Sequence, residues 1–159
     1  MNKIILPLTF NEYYKLFRYA QYIHSLREEP IPELRYDNEH KIKNALELPF
    51  QTFDGQYLYN GLCKKATMLF YLIINNHVMG NGNKRMACLA LSYFLAKNFY
   101  DLTIPDKQLR AIAKKVASPH NHEQMLAEIE KAIRKHLKPM KKAEALVYKK
   151  KKRIKTKKR

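Results

Sequence analysis

Helix-forming signals run through most of this chain, and they restrict its fold more than any other feature does. Prolines and capping residues divide the sequence into predicted helices at about residues 9–26, 38–48, 62–76, 83–98, 105–117 and 118–137. The first opens with a capping box, in which the side chains of Thr9 and Glu12 each bind a free backbone amide. Ser118 and Pro119 offer a cap and a first-turn proline to the last helix. The sequence therefore predicts an all-α domain.

One segment departs from this helical pattern. Asp54 and Gly55 lie between aromatic and β-prone residues, from Phe50 to Tyr59, and this arrangement is a strong hairpin signal. No internal repeat is visible. We therefore predict a helical bundle with a single β-hairpin, for which connecting two helices is the simplest role.

The positive charge is concentrated at the end of the chain. Of the formal net charge of +17, residues 138–159 contribute +11, because they hold twelve Lys or Arg against one acid, Glu144. Such a run is usually solvated, and it can bind polyanions in a salt-dependent way. We predict a folded domain over residues 1–137 and a disordered, lysine-rich tail over residues 138–159, with RNA, the ribosome or DNA as candidate contacts.

Other features favour a cytoplasmic protein. The longest apolar run, Met68 to Ile74, falls far short of the ~20 residues that cross a bilayer. Cys63 and Cys88 form no CxxC pair, and reduced thiols are expected. His120 and His122 lie close together without further nearby ligands, so we predict no zinc site.

The segment from Asn76 to Arg85 brings together several residue types with chemical roles. His77 follows a predicted helix and can act as a base near neutral pH. Gly82 and Asn83 precede the next helix, where free amides and the helix dipole favour an anion. Lys84 and Arg85 add two cations. The pattern is that of a phosphate site beside a base, although such a turn can also simply connect two helices.

This segment resembles the signature of the Fic/Doc family, His-x-Phe-x-Asp/Glu-Gly-Asn-Gly/Lys-Arg. It reads His-Val-Met-Gly-Asn-Gly-Asn-Lys-Arg over residues 77–85, and Lys84 is the variant of the Doc branch, the death-on-curing toxins. Residues 45–59, 64–66, 94–98 and 116–118 also resemble family segments. The resemblance covers roughly residues 30–137.

The resemblance implies a Fic/Doc-like helical bundle with one β-hairpin flap, which transfers part of ATP to a protein hydroxyl. It implies that His77 is the general base. It also implies that Gly82 and Asn83 form the anion hole, and that Lys84 and Arg85 hold phosphates. The flap, formed by Thr52, Phe53, Asp54 and Gly55, would dock the target segment as an added strand.

Two positions of the signature differ in this chain. Met79 replaces a phenylalanine anchor, and methionine can fill a similar volume. Asn81 replaces the acid that binds Mg²⁺ near the nucleotide. An amide oxygen can bind Mg²⁺ but brings no charge, and magnesium sites usually use carboxylates. We therefore expect weak Mg²⁺ binding and low activity, unless another acid contributes.

The resemblance leaves several functions open. Lys84 favours a Doc-like toxin that phosphorylates elongation factor Tu and blocks translation, whereas AMP transfer would match the Fic branch. A third alternative is a degenerate binding protein, disabled by Asn81, whose basic tail contacts nucleic acid. Ser25 to Glu29 partly matches a self-inhibitory motif, but Pro30 would end that helix. A separate antitoxin is therefore expected.

Overall fold

The computed structural model describes residues 4–25 and 29–141 as a helical bundle. Its helices are α1 (Phe10–His24), α2 (Glu39–Glu47), α3 (Leu62–Asn75), α4 (Asn83–Lys97), α5 (Asp106–Val116) and α6 (His122–His136). Short 3₁₀ turns, Tyr36–Asn38 and Leu48–Phe50, flank α2. The predicted helical fold is confirmed, and most helix ends lie within a few residues of their predicted places.

The structure contains the predicted hairpin and a second small sheet. Strands β1 (Thr52–Phe53) and β2 (Gln56–Tyr57) pair antiparallel across the Asp54-Gly55 turn. Strands β3 (Tyr100–Leu102) and β4 (Leu137–Pro139) also pair antiparallel, which the sequence did not predict. Their three-residue length gives too short a pattern to recognise.

The second sheet extends beyond residue 137, where the basic tail was predicted to begin. Lys138 pairs with Asp101, and the amide of Met140 donates a 2.9 Å hydrogen bond to the carbonyl of Phe99. Residues 138–140 therefore belong to the fold. Residues 142–159 of the predicted basic tail lie outside the described residues, as do residues 26–28 of the partial self-inhibitory match.

The start of the last helix was predicted incorrectly. Helix α6 begins at His122, and its cap is Asn121, whose side-chain oxygen accepts a 3.0 Å hydrogen bond from the amide of Gln124. Ser118 instead donates to the carbonyl of Lys114 at the end of α5. Asparagine and serine are both good caps, so the sequence alone did not distinguish Ser118 from Asn121 as the start of the helix.

Helix α3 forms the centre of the bundle. It packs against α2, α4, α5 and α6, and from Cys63 to Ile74 all of its residues except Lys64 are buried. Helix α4 runs back along α3 after a short loop, residues 76–82. Within the described residues, no helix combines the length and the apolar character needed to cross a membrane.

A buried lysine fixes the base of the hairpin to α3. Lys65 is only 2% exposed, and its ammonium donates to the carbonyls of Pro49 (3.1 Å) and Tyr59 (2.8 Å). It also lies 3.8 Å from the ring centre of Tyr57. These contacts join both sides of the hairpin to the first turn of α3.

Candidate active site

The signature loop turns sharply at its histidine. His77 has a positive φ of 46° and follows the end of α3, where its amide donates to the carbonyl of Ile74 at 3.3 Å. A left-handed backbone is uncommon in residues other than glycine, and such conformations occur preferentially at functional sites. The side chain of His77 is exposed. It is therefore accessible to a hydroxyl group of another protein.

Asn83 closes the loop by a two-way contact with Met79. Its side-chain oxygen accepts from the amide of Met79 at 2.9 Å, and its side-chain nitrogen donates to the carbonyl of Met79 at 2.7 Å. Val78 and Met79 are buried and anchor the loop in the core. The Asn83 side chain thus holds the loop, and what it can offer an anion is its backbone amide.

Gly82 stands directly before α4 in a left-handed conformation, with a φ of 94°. It provides no side-chain cap, and the first amides of a helix have no partner within the helix. A Cβ atom at this position would lie 3.1 Å from Cγ1 of Ile31. The left-handed backbone therefore favours glycine here, and a side chain would also require Ile31 to shift by a few tenths of an ångström.

Arg85 connects the loop to the segment before α2. One guanidinium nitrogen donates to the carbonyl of Glu29 at 2.6 Å, and another lies 3.4 Å from the side-chain oxygen of Asn81. Together with the contact between Ile31 and Gly82, this hydrogen bond places residues 29–31 beside the signature. Lys84 is exposed next to them.

An open cleft of about 1010 Å³ begins at these residues. Asn81, Gly82, Lys84 and Arg85 line one side, and residues of α1, α4 and α5 complete it. His77 does not line the cleft, and it lies five residues before Gly82 in the same loop. The structure thus brings the predicted phosphate ligands together on one surface.

Helix α5 adds cations that the sequence analysis missed. Arg110 and Lys114 line the same cleft, and Arg110 pairs with Asp106. Their spacing of four residues places them on one helix face, and this spacing was the only feature of the sequence that could have indicated a shared role. Cys88 also lines the cleft, and burial raises the pKa of its thiol to about 11. A neutral thiol is a poor nucleophile, so we assign Cys88 no catalytic role.

The predicted target-docking flap and the signature loop flank α3 in the chain. The hairpin precedes α3 and the loop follows it, and a helix of 14 residues is about 21 Å long. The ring of Phe50, at the base of the hairpin, packs edge-on against Phe94 near the far end of α4. The docking of a target strand by Thr52, Phe53, Asp54 and Gly55 stays a prediction.

The residues around Asn81 do not fit the magnesium site that the resemblance implied. The loop from residue 76 to residue 85 contains no carboxylate. The side-chain oxygen of Asn81 faces the Arg85 guanidinium, a cation. Within residues 4–25 and 29–141, no group of three His, Cys, Asp or Glu side chains converges in a way that could hold a metal ion.

Comparison with known proteins identifies the family. A sequence model of the Fic/DOC family matches residues 8–95, which is more than half of the 159-residue chain. No curated protein and no solved structure matches the chain. The matched part runs from the residue before the capping box to the last turn of α4, and includes the whole signature loop. The chain therefore belongs to the Fic/DOC family, whose members typically transfer nucleotidyl or phosphoryl groups to proteins.

Proposed function

We propose that this protein is a Doc-like toxin that transfers a phosphoryl group from ATP to a hydroxyl side chain of a host protein. The observation that carries the proposal is the start of α4, where Gly82 leaves backbone amides free beside Lys84 and Arg85. Free amides, the helix dipole and two cations suit a polyphosphate. The cleft is large enough to hold a nucleotide.

In this proposal His77 removes the proton from the target hydroxyl. The freed oxygen forms a bond to the γ-phosphorus of ATP, while the bond from that phosphorus to its bridging oxygen breaks and ADP leaves. Lys84, Arg85 and the amides at the start of α4 offset the charge on the phosphate oxygens. The exposed position of His77 and the fixed loop support this division of roles.

AMP transfer is the second candidate, and it differs in which phosphorus reacts. The target oxygen would attack the α-phosphorus, and pyrophosphate would leave. Lys84 favours phosphoryl transfer, because the Fic branch of the resemblance usually carries glycine at that position. The third candidate is a binding protein that has lost catalysis through Asn81 and contacts RNA, the ribosome or DNA through residues 138–159.

The partners belong to the same proposal. Elongation factor Tu is the proposed target, and its modification would block translation. A separate antitoxin is the proposed regulator. The segment at residues 29–31 borders the phosphate site, so we propose that the target segment lies near it. The hairpin, at the other end of α3, would serve the target only as a remote contact.

The test uses ATP labelled separately at the α- and γ-phosphates, with elongation factor Tu as the acceptor. Transfer of the γ-label alone supports phosphorylation, and transfer of the α-label supports AMP transfer. His77→Ala should lose at least about a hundredfold in rate, the contribution of a general base. His40→Ala, which removes another exposed histidine, is the matched control.

Growth on expression separates the enzyme from the binding protein. A toxin should arrest growth, and His77→Ala should abolish the arrest while deletion of residues 142–159 leaves it in place. Arrest that survives His77→Ala and disappears with the deletion would contradict the enzyme proposal and favour nucleic-acid binding.

A further inference from the structure

The charge of the phosphate site is unusual for a site that depends on a metal ion. Within residues 4–25 and 29–141, Arg85 forms no ion pair, and its guanidinium contacts only the carbonyl of Glu29 and the amide oxygen of Asn81. Both acceptors are neutral. No acid of the described residues pairs with Arg85, so we treat its charge as available to an anion in the cleft.

The remaining charges of the cleft reinforce this property. Among the described residues, its lining contains the cations Lys84, Arg85, Arg110 and Lys114, and the acids Glu29 and Asp106. Asp106 is already engaged by Arg110. Lys84 and Lys114, like Arg85, form no ion pair in the described part of the chain. A divalent cation entering beside Asn81 would meet the Arg85 guanidinium and no carboxylate of the loop.

We propose that this cleft binds the phosphates of its nucleotide without Mg²⁺, with Lys84, Arg85 and Lys114 supplying the positive charge that a metal ion would otherwise bring. The inference rests on the proposed function for the identity of the ligand. In this account the side-chain amide of Asn81 brings no negative charge to the loop. It orients the Arg85 guanidinium by a hydrogen bond without neutralising its charge. The replacement of the acid then preserves a metal-free site.

The experiment is a calorimetric titration of ATP into the full chain, once in EDTA and once in excess Mg²⁺. We expect the Kd in EDTA to equal or lie below the Kd in Mg²⁺, because uncomplexed ATP carries more negative charge. Asn81→Asp places a carboxylate beside Arg85 at almost unchanged volume. It should weaken binding in EDTA about tenfold, and Mg²⁺ should then restore it.

Asn60→Asp is the matched control. Asn60 is exposed between the hairpin and α3, at the opposite end of α3 from the loop. The Asn60→Asp variant therefore adds the same charge to the chain as Asn81→Asp, at a residue that does not line the cleft. This variant should bind ATP like the original protein in both buffers. Binding that appears only with Mg²⁺ in the unmodified protein would overturn the inference. An Asn81→Asp variant indistinguishable from Asn60→Asp would remove the role given to Asn81.

Pyrophosphate, titrated under the same two conditions, separates this inference from the proposed function. If pyrophosphate binds in EDTA and ATP binds in neither buffer, the metal-free anion site stands and nucleotide transfer fails. If ATP binds only with Mg²⁺ and the labelled phosphate reaches the acceptor, the transferase stands and the metal-free site fails. Absence of binding by both ligands contradicts both.

Discussion

The side-chain amide of Asn83 forms two hydrogen bonds with the backbone of Met79, one in each direction. Asn83→Ala would leave the backbone amide and the carbonyl of Met79 without hydrogen-bond partners, beside the buried Met79 side chain. We expect a loss of about 1–3 kcal/mol in the free energy of unfolding, measured in urea. Asn44→Ala, at an exposed position of α2, is the control. Equal stability of the two variants would show that the contact does not hold the loop.

Gly82 should resist substitution for two separate reasons. Its φ of 94° is unfavourable for alanine, and a Cβ atom would press against Ile31. We expect Gly82→Ala to destabilise the protein by about 1–3 kcal/mol and to weaken ATP binding. Gly80→Ala meets no atom within 4 Å and should change little. Comparable melting temperatures for the two variants would contradict this account.

Lys65 should contribute both to the order of the hairpin and to the stability of the fold. Lys65→Met removes the bonds to Pro49 and Tyr59 and leaves both carbonyls without this donor. We expect a loss of about 1–3 kcal/mol in the free energy of unfolding, measured in urea. Hydrogen exchange at Leu58, whose amide bonds across the hairpin, should accelerate at least about tenfold. Lys64→Met, at the exposed neighbour, should leave that exchange rate unchanged.

Tyr13 carries a buried hydroxyl without a hydrogen-bond partner in the described residues. Tyr13→Phe should therefore raise the free energy of unfolding, by about 1 kcal/mol. Burial also raises the pKa of Tyr13 above its usual value. Tyr13 therefore ionises at a lower pH in the unfolded chain than in the native protein. As a result, the native protein loses stability as the pH rises above about 10.

Tyr13→Phe lacks that ionisation, so its advantage should grow in alkali. The measurement is urea unfolding at neutral and at alkaline pH, with Tyr14→Phe, a change at an exposed tyrosine of the same helix, as the control. An advantage that stays constant with pH would contradict the assigned cause.

Tyr71 joins α3 to the start of α6 through two histidines. Nδ1 of His120 donates to the carbonyl of Ser118, so in the neutral form of this ring Nε2 accepts from the Tyr71 hydroxyl. The hydroxyl oxygen then accepts from Nδ1 of His122. Tyr71→Phe breaks this chain and should cost about 1–3 kcal/mol in unfolding free energy. Tyr22→Phe, at a position 74% exposed, should cost nothing measurable.

Local features could be predicted from the sequence because the interacting residues are neighbours. The capping box is formed as expected, with the amide of Thr9 bonded to Glu12 at 3.0 Å and the amide of Glu12 to Thr9 at 3.2 Å. The Asp54-Gly55 hairpin also forms, with both turn residues at positive φ. In each case the residues that predict the feature and the residues that form it are the same few neighbours in the chain.

Long-range arrangements could not be predicted in the same way. Strands β3 and β4 are separated by two helices, and α5 brings Arg110 and Lys114 to the cleft only through tertiary packing. The contact of Ile31 with Gly82 also joins distant parts of the chain.

The position of the hairpin makes it a practical site for labelling. Asp54 and Gly55 are exposed, and α3, a helix about 21 Å long, stands between the hairpin and the signature loop in the chain. A fluorophore or affinity handle attached at this turn would modify no residue that lines the cleft. Immobilisation through the same turn would therefore allow ATP binding to be followed on a surface with the residues of the cleft unmodified.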